Sequence, residues 1–444
     1  SDDSKAIDLC KLNDFFSNNI DFELSKISIL ELNNCDIIEV PRNIQKLNLK
    51  QLILTHNNLK EVPSCLYSGL KTLELLDLSH NFIKSFDIEP ACSCTIATLK
   101  LNDNQIHNFP HWILTLRCPK LVELIYTNNN IVTLKTSHTV NIKKLEMCNC
   151  HLLDVDFQFL KAIKTLEYLD ISNNNPVSHN ENRFKDIDQL FVQAEWKSMN
   201  VLKLNNLTIS ILPPGIFWIM SLSELHLNNC DLSWIPEDVQ YLTNLRILDV
   251  SYNAVCSLPS QLCHLKNLEV VKAPFNNISS IRNFKNNLEI LDLYNNCLET
   301  FPNNVDKIKF IDVEQNLFDT VCVENYNEYL EKCKQLRQMF NYTRMNGCKE
   351  LLEESLPSGN YDKDSLNSES EECTEHYQNQ IYEVEFENWD EEKPKVFEQK
   401  NPEVTSSDDE WEGKEDINKD KENSKFLKPY FDVNEEWIFC DAEE

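Results

Sequence analysis

The sequence predicts an α/β solenoid of about thirteen stacked repeats with a parallel β-sheet on its concave face, followed by an acidic, largely disordered tail. Three observations support this fold class. An apolar pattern recurs, mostly every 20–25 residues, along most of the 444-residue chain. Each repeat contains a short stretch in which apolar and polar residues alternate. Both patterns stop near residue 345, after which acidic residues dominate.

The repeat is clearest in LSELHLNNCDLSWIPEDVQYLTN (222–244), because LRILDVSYNAVCSLPSQLCHLKN (245–267) follows with the same apolar spacing. Neither segment could bury its leucines alone, so each needs its neighbours. The spacing L-x-x-L-x-L-x-x-N is that of leucine-rich repeats and not the longer one of all-helical or propeller arrays. Its second apolar position falls at Leu30, Leu52, Leu76, Leu99, Leu124, Leu145, Leu169, Leu202, Leu225, Leu248, Val271, Leu291 and Ile311.

Each L-x-L core alternates with a period of two residues, which predicts a short strand with its leucines in the core. The ninth position is an asparagine in most repeats and a cysteine in three. An amide can donate and accept hydrogen bonds where the chain leaves the strand. We interpret this ladder as structural; its members are Asn57, Asn81, Asn104, Asn129, Asn174, Asn253, Asn276, Asn296, Asn316, Cys35, Cys150 and Cys230.

An apolar residue followed by proline comes after the ladder position in several repeats, as in Val62-Pro63 and Ile235-Pro236. Proline suits the first turn of a helix because its backbone torsion is already helical and it has no N–H to satisfy. Short helical turns are therefore expected on the convex face.

The repeat at residues 169–201 is enlarged. The longer repeat contains residues 183–197, whose apolar side chains recur at helical spacing, which predicts a longer helix on the convex face. The alternative is a break that divides the solenoid in two. The apolar residues are Phe184, Ile187, Leu190, Phe191 and Ala194.

A solenoid must close both ends of its core. We expect an N-terminal cap at residues 1–26, the solenoid at residues 27–320 and a C-terminal cap helix at residues 321–345. Residues 346–444 hold 31 acidic residues against 10 lysines and lack the leucine period. Such a segment buries too little apolar surface to offset its ordering entropy, so this tail is predicted to be largely disordered.

Composition favours a cytoplasmic protein, with the nucleus as an alternative. The 17 cysteines are odd in number and several occupy ladder positions, so reduced thiols are expected. No signal peptide is visible at the start of the chain. No apolar run approaches the roughly 20 residues that span a bilayer. Asn-x-Ser/Thr matches at Asn206, Asn277 and Asn341 would matter only in a secreted chain.

Few residues suggest catalysis. Only five glycines occur, all far apart, whereas a phosphate-binding loop needs two or three within a few residues. The best metal candidate is Cys148, Cys150 and His151 in MCNCH, with Cys92 and Cys94 two repeats earlier. Cys150 should point into the core and Cys148 towards the concave face, so they do not converge on a tetrahedral site. We predict no enzyme activity, no metal and no cofactor.

Two features of the tail suggest regulation or partner contact. Ser406 and Ser407 in VTSSDDEWE precede carboxylates at the +3 position. This resembles sites of acidophilic kinases such as casein kinase 2, so phosphorylation is predicted. Trp389, Trp411 and Trp437 are unusual in so polar a segment. They predict short motifs that dock on a partner or on the solenoid.

Side chains between the strand leucines should form columns on the concave face. None is a basic stripe, so direct nucleic-acid binding is not expected. Towards the C-terminal end, aromatic rings join charged residues, a combination typical of protein interfaces. We predict a partner-binding patch formed by Asp249, Tyr252, Lys272, Phe275, Asp292, Tyr294, Asp312 and Glu314.

Residues 222–244 and 245–267 resemble the 23-residue repeats of intracellular Ras-group leucine-rich-repeat proteins, such as Ras suppressor protein and the repeat regions of Scribble and Erbin. The resemblance covers about residues 27–320. It implies a scaffold that binds signalling proteins on its concave face, with a small GTPase or a phosphatase as partner. The 99 residues after 345 are too polar to be a PDZ, phosphatase or kinase domain, so those activities are not implied.

The expected function is that of a non-enzymatic, monomeric adaptor. Two alternatives stay open. The acidic tail resembles that of acidic nuclear phosphoproteins, which implies binding of basic proteins such as histones. A secreted or receptor ectodomain is favoured by the Asn-x-Ser/Thr matches and opposed by the absence of cysteine-rich caps.

Overall fold

The computed structural model describes residues 27–40, 44, 47–66, 72–86, 94–114, 118–132, 134, 141–174, 180–281, 288–302, 307–318 and 326–349. All of them belong to the compact unit Ser1–Leu356. The predicted N-terminal cap lies outside the described residues, as does the predicted tail beyond Lys349.

Thirteen three-residue strands form one parallel sheet whose spatial order, β1 to β13, is the order of the chain. Neighbouring strands pair without a shift, as Leu225 with Leu248 and Leu248 with Val271. Equivalent side chains of successive repeats therefore line up about 4.8 Å apart. The strands are Ile29–Glu31, Gln51–Ile53, Leu75–Asp77, Thr98–Lys100, Glu123–Ile125, Lys144–Glu146, Tyr168–Asp170, Val201–Lys203, Glu224–His226, Ile247–Asp249, Val270–Lys272, Ile290–Asp292 and Phe310–Asp312.

The core lies behind the sheet. In most repeats, two side chains point into the core: that of the central strand residue and that of the residue two positions later. Examples are Leu52 with Leu54 and Leu248 with Val250. These side chains belong to one continuous apolar cluster. Each repeat buries its leucines against both neighbours, and the predicted solenoid with a parallel sheet is confirmed.

The asparagine ladder links consecutive turns. Asn104 donates from its amide nitrogen to the carbonyls of Leu78 and Leu101, both at 3.0 Å. Its oxygen accepts the Ile83 N–H at 3.0 Å. One side chain thus satisfies backbone groups of its own turn and of the repeat before it. The same pattern recurs at Asn57, Asn81, Asn129, Asn253, Asn276, Asn296 and Asn316.

Three ladder positions carry a thiol in place of the amide, and two of these thiols bond the preceding repeat. Cys150 donates to the Tyr126 carbonyl at 3.2 Å, and Cys230 donates to the Leu204 carbonyl at 3.1 Å. Burial raises the pKa of both thiols to about 12. They therefore stay protonated and remain donors, which agrees with the structural interpretation of the ladder.

Asn174 does not hold the ladder position that its spacing predicts. It is exposed, and Asn182 takes the place instead. The Asn182 oxygen accepts from the N–H groups of Cys150 and Leu152 at 3.0 Å each, and its amide donates to the Ile171 carbonyl at 2.8 Å. Extra residues are inserted between the strand and the ladder position of the enlarged repeat. The regular spacing from the strand therefore predicts Asn174, whereas Asn182 occupies the position.

Short 3-10 helices lie on the convex side. Five of the six directly follow a proline or begin with one, in agreement with the prediction from the apolar-proline pairs. They span Ser64–Leu66, His111–Leu114, Asp154–Asp156, Pro214–Trp218, Glu237–Tyr241 and Ser260–His264.

The enlarged repeat contains less helix than predicted. A first α-helix, α1, spans Phe157–Ala162, and α2 spans only Asp188–Phe191. The prediction of a longer helix over residues 183–197 is wrong. Val192 is extended, with ψ 117°, and Gln193 is left-handed, with φ 58°, so the helix cannot continue. The apolar spacing correctly marked buried residues but overstated the length of the helix.

The enlarged repeat does not divide the solenoid. Strands β7 and β8 pair directly, with Leu169 opposite Leu202. Helix α2 packs on the 3-10 helix of the next repeat. Gly215 permits this approach, because a Cβ there would lie only 2.6 Å from the Phe191 Cβ. The alternative of a break is therefore wrong.

Helix α3, Tyr326–Phe340, packs on β13 at the C-terminal end of the sheet. One face of the helix, Tyr329, Cys333 and Leu336, is at most 4% exposed. The Tyr329 hydroxyl accepts the Val313 N–H at 3.0 Å, so the last repeat keeps a partner for this backbone group. Within the described part of the chain, no helix has the length and apolarity needed to cross a membrane.

Cys94 and Cys118 form a disulfide between neighbouring repeats, with their Cα atoms 5.3 Å apart. The expectation that all thiols are reduced is wrong for this pair. The sequence separation of 24 residues is about one repeat, so the stacking itself brings the two cysteines together. Free thiols within the described residues are those of Cys35, Cys148, Cys150, Cys230, Cys256, Cys297 and Cys333.

Candidate protein-binding surface

The concave face presents the first and third residues of each strand. In β2, Gln51 and Ile53 are half-buried on either side of the buried Leu52, and most strands repeat this pattern. Because the register is constant, these residues form two columns along the sheet. Charged residues of both signs occur in them, which suits polar contacts with another molecule.

A third column lies at the turn, immediately before the ladder residue. Its members have left-handed backbone, with φ between 48° and 59°. Most are asparagine, histidine, aspartate or glutamine. Asn and Asp adopt this conformation most readily because their short polar side chains bond locally. The column is Asn34, His56, His80, Asp103, Asn128, Asn149, Asn206, Asn229, Tyr252, Phe275, Asn295 and Gln315.

Tyr252 and Phe275 are the bulky exceptions in this column, each with φ 55°. Left-handed backbone costs an L-residue about 1–2 kcal/mol. The two rings stack with centroids 4.4 Å apart and 11° between their planes. Tyr252 is 50% exposed. Strained backbone of this kind concentrates at functional sites, so this pair is a candidate contact.

All eight residues of the predicted patch lie on four adjacent strands, β10 to β13, and their turns. Asp249 lies opposite Lys272, and Asp292 lies opposite Asp312. However, Asp292, Asp312 and Glu314 are 0–1% exposed. These three carboxylates are covered by the chain's own C-terminal segment and do not reach solvent here, so partner binding by the patch stays a prediction.

Two arginines of that segment lie on the carboxylates. The Arg344 guanidinium donates to both oxygens of Asp292, at 2.8 and 2.9 Å, and to Asp312 at 3.1 Å. Arg337, on α3, donates to both oxygens of Asp312 at 2.9 and 3.1 Å. The two arginine side chains are 6% and 12% exposed. Buried carboxylates are thus matched by buried guanidinium groups.

Glu314 and Tyr294 are held by the same segment. The Tyr326 hydroxyl donates to the Glu314 carboxylate at 3.1 Å, and the Gly347 N–H also donates to it. The Met345 N–H donates to the Tyr294 hydroxyl at 3.3 Å. Contacts that the prediction reserved for a partner are therefore made within the chain.

Burial raises the pKa of Asp292 to about 6, and hydrogen bonds from Arg344 oppose the rise. For Arg344, burial disfavours the cation, but hydrogen bonds with Asp292 outweigh it and raise the pKa. Burial is the main reason that the pKa of Asp292 rises despite Arg344, and repulsion from the Asp312 carboxylate adds to the rise. At neutral pH both groups are charged, and the ion pair is intact.

Of the residues that the structure describes, none crosses the concave face over β2 to β7, and we call this part of the face open. A cleft of about 420 Å³ lies there. The Lys100 ammonium is 3.9 Å from Asp77, and His80 Nδ1 is 3.4 Å from Asp103. The His56 and His80 rings stack 4.0 Å apart. The lining residues are Thr55, His56, Asp77, Ser79, His80, Lys100, Asn102, Ile125, Thr127, Glu146, Cys148, Asp170 and Asn174.

Tyr168 lies near the middle of the face. Its ring has the ammonium of Lys144 5.3 Å from the centroid and that of Lys203 at 5.1 Å. Lys144 also pairs with Glu123 at 2.9 Å and Glu146 at 3.1 Å. Burial raises the pKa of the Tyr168 hydroxyl, so it stays neutral. The central face is thus a network of alternating charges around one ring.

Within the described residues, no group of three or more His, Cys, Asp or Glu side chains could hold a metal ion. Burial raises the pKa values of Cys148 and Cys150, which disfavours the thiolate that binds metal. Cys94 is in the disulfide, and Cys92 lies outside the described residues.

Arg337 and Arg344 were not among the predicted site residues. They are the only arginines after residue 300, and they lie in and beside the predicted cap helix. The column places Asp292 and Asp312 side by side, and two adjacent carboxylates need compensating cations if they are covered. Comparing the charges of the column with those of the cap would have indicated this contact.

The functional residues predicted in the tail, Trp389, Trp411, Trp437, Ser406 and Ser407, lie outside the described residues. Their proposed roles in docking and phosphorylation stay predictions.

The Leucine Rich Repeat family pattern matches residues 287–308. Osteomodulin of Rattus norvegicus is 24% identical over 210 residues, which is 42% of this chain and 47% of osteomodulin. The chain thus spans about half the length of this curated relative. The fold is that of leucine-rich-repeat proteins, as the sheet and the family match both show, whereas the Ras-group subclass stays a prediction.

Solved structures with a similar fold include a leucine-rich-repeat protein of Leptospira interrogans, with 20% identity and a TM-score of 0.46, covering 74% of this chain and 97% of that one. A TDR receptor has 17% identity and a TM-score of 0.45, covering 70% and 59%. An internalin of Listeria monocytogenes has 19% identity and a TM-score of 0.43, covering 68% and 77%.

Proposed function

We propose that the protein is a non-enzymatic scaffold that binds a signalling protein on the open part of its concave face. The observation that carries this proposal is the cleft over β2 to β7, where side chains of both signs line about 420 Å³ of open space. Rows of charged and aromatic side chains on a rigid sheet suit recognition of a protein surface. The leucine-rich-repeat fold is itself one that serves protein binding.

The partner and the location follow from the resemblance to Ras-group repeats. We propose a small GTPase or a phosphatase as the partner, and the cytoplasm as the compartment. Tyr252 and Phe275 extend the binding surface beyond the cleft, because their stacked rings reach solvent at the edge of the covered region. The tail provides a second, regulated contact through its tryptophans and its two serines.

The test is affinity capture from native cells with the full chain as bait. The variant Lys100→Glu with Glu146→Lys exchanges two charges of the cleft without changing the net charge. The matched control, Glu237→Lys with Lys266→Glu, makes the same exchange at exposed positions outside the cleft. We expect the cleft variant to lose signalling proteins that the wild type and the control retain.

Capture of the same proteins by all three baits would overturn the concave-face proposal. Capture of mainly basic nuclear proteins, unaffected by either variant, would instead support the acidic tail as the binding element.

The disulfide between Cys94 and Cys118 favours a second candidate, an extracellular binding module, because disulfides persist in oxidising compartments. Thiol labelling of the native protein under denaturing conditions, followed by mass spectrometry, separates the two. Free Cys94 and Cys118 in protein from intact cells are expected for the cytoplasmic scaffold. A linked pair in most molecules would favour the extracellular module.

A further inference from the structure

The segment between α3 and the last described residues crosses the face of the sheet. We call residues 341–346 the strap. It is anchored at one end by α3 and at the other by Gly347 and Lys349, which bond Gln315 and Asn316 beyond β13 at 2.7 and 2.8 Å. Between these anchors it reaches back to Asp292 on β12, 52 residues earlier.

Closing the stack does not require the strap. Helix α3 already covers β13 with Tyr329, Cys333 and Leu336. A structural cap has to bury the apolar end of the core, yet the one strap side chain known to be buried is that of Arg344, which contacts carboxylates, and the other strap residues are half-buried or exposed. The strap therefore serves a different purpose from the helix before it.

The strap is held mainly by polar and aromatic contacts around one side chain. The Arg344 guanidinium is 6% exposed and makes a two-pronged contact with Asp292, a geometry specific to arginine. It lies 4.6 Å from the ring centroid of Tyr294 and 3.9 Å from that of Tyr342. Such contacts depend on charge. They are therefore weakened by salt and by competing cations.

The strap also has space on its other side. A hollow of about 580 Å³ lies between α3 and the strap, lined by Arg337 and Asn341 among others. On the α3 side, Arg337 donates to the carbonyls of Arg344 and Met345, both at 3.3 Å, and to the Asn346 side chain at 2.7 Å. Release of Arg344 from Asp292 would leave α3 on β13, because Tyr329, Cys333 and Leu336 bury the helix there.

We propose that Asp292, Asp312 and Tyr294 form an arginine-binding pocket, that the strap is its internal ligand, and that an arginine-bearing extended segment of a protein partner replaces Arg344. The pocket supplies what arginine recognition needs: paired carboxylates in the guanidinium plane and an aromatic ring over it. This inference deepens the proposed function, since it defines the ligand chemistry of the covered end of the concave face.

In the absence of a partner, Arg344 competes well for the pocket because it is tethered to it. A short tether holds Arg344 at an effective concentration on the order of 1 mM, so a separate peptide at about 10 µM is outcompeted by roughly a hundredfold. A partner that also occupies the open cleft brings its own arginine to a comparable local concentration. At micromolar concentration, only such a partner displaces the strap; a separate peptide needs millimolar concentration.

The test uses the full chain and a fluorescein-labelled peptide with the sequence of residues 340–347, FNYTRMNG, read by fluorescence polarisation. We expect Arg344→Ala to bind this peptide about tenfold or more tightly than the wild type does, because its pocket is vacant. Lys334→Ala is the matched control, since it removes an exposed cation of α3, and it should behave as the wild type. The same peptide with alanine in place of arginine should not bind.

The double variant Arg344→Ala with Asp292→Asn should lose the gain in peptide affinity. Equal, weak binding by the wild type and by Arg344→Ala would overturn the proposal, because the ion pair would then be a fixed part of the cap. Thermal unfolding of each variant shows whether the solenoid is folded.

Hydrogen exchange of the unaltered chain tests the inference without any substitution. Excess peptide should accelerate exchange at the Met345 amide, which the Tyr294 hydroxyl now holds, while the Val313 amide under α3 stays protected. No change at Met345 at millimolar peptide overturns the inference. Because this readout does not involve the open cleft, it fails or succeeds independently of the capture experiment.

Discussion

The two ends of the concave face differ in what lies over them, although the same repeat builds both. Over β2 to β7, charged side chains contact one another and solvent, and Lys144 is 36% exposed. Over β12 and β13, the equivalent surface residues Asp292 and Asp312 are almost fully buried under Arg344. In the open end the equivalent Asp77 and Asp170 keep 9% and 6% exposure, whereas Asp292 and Asp312 keep 1% and 0%. The position in the repeat decides which way a side chain points, and the segment crossing the face removes the remaining exposure and supplies arginine partners.

The largest expected effect is a loss of stability when a ladder asparagine is removed. Comparing this loss at the two ends tests whether the ladder stabilises both ends equally. Asn104→Ala beneath the open end and Asn296→Ala beneath the covered end should each lower the free energy of unfolding by about 4 kcal/mol. Each change leaves several buried backbone groups unpaired, at about 1–3 kcal/mol per group. Denaturant titration followed by circular dichroism measures the loss. Exposed Asn174→Ala should have almost no effect. A difference above about 2 kcal/mol between the two ladder variants would show that the scaffold itself differs.

A second prediction concerns the charges on the surface of each end. Arg337→Ala should cost about 3 kcal/mol, because α3 keeps Asp312 covered and its carboxylate loses a buried partner. Lys144→Ala in the open end should cost only about 0.5 kcal/mol, since water replaces the lost ion pairs. The same titration applies to both. Similar losses for the two variants would mean that the covered end is hydrated like the open one.

The pH dependence of stability should reveal the covered end through Asp292. Its folded pKa is about 6, above the ordinary 3.8, so the folded state binds the proton more readily than the unfolded chain. The contribution of this residue to stability should therefore rise as pH falls from about 6 towards 4, by about 1.4 kcal/mol per pH unit. Above pH 6 it should stay constant. The charged and titratable groups that act on it are Arg344, Asp312, Tyr252 and Tyr342.

The measurement is the free energy of unfolding of the wild type and of Asp292→Asn at pH 7 and pH 5. Between pH 7 and pH 5, the free energy of unfolding of the wild type should increase by about 1.4 kcal/mol relative to that of the variant. A loss instead would show that the ion pair with Arg344 outweighs burial and lowers the pKa.

The smallest effect is expected at the boundary between the two ends. Tyr252→Asn should change stability by less than about 0.5 kcal/mol, because relief of left-handed strain, about 1 kcal/mol, offsets the lost stacking on Phe275, about 0.5–1.5 kcal/mol. Partner capture by this variant should nevertheless fall. A stability loss above about 1.5 kcal/mol would show that the ring is structural.

The sequence predicted what depends on the repeat alone. Strand positions, inward leucines and most of the ladder follow from spacing, because each is determined by residues close together in the chain. Asn174 was misassigned because an insertion changes the spacing, and only the backbone path shows that Asn182 takes its place. The length of α2 was overestimated because apolar spacing reports burial, whereas the helix ends where Gln193 turns left-handed.

The binding surface was only partly predictable. The predicted columns placed the correct residues next to each other, since Asp292 and Asp312 do lie side by side. Their burial depends on Arg344, which is far away in sequence and lies in no repeat. This contact depends on charge and geometry and not on the repeat period. No pattern within the repeats could therefore indicate it.

The ladder gives the molecule a mechanical property. Each asparagine bonds its own turn and the preceding one, so a repeat pulled from one end releases its neighbour's bonds as it unravels. Stretched between its ends, the solenoid should lengthen in steps of roughly 80 Å, the extended length of about 23 residues. The repeat between Leu169 and Leu202 should give one step of roughly 110 Å. That longer step would mark the centre of the stack in a force trace.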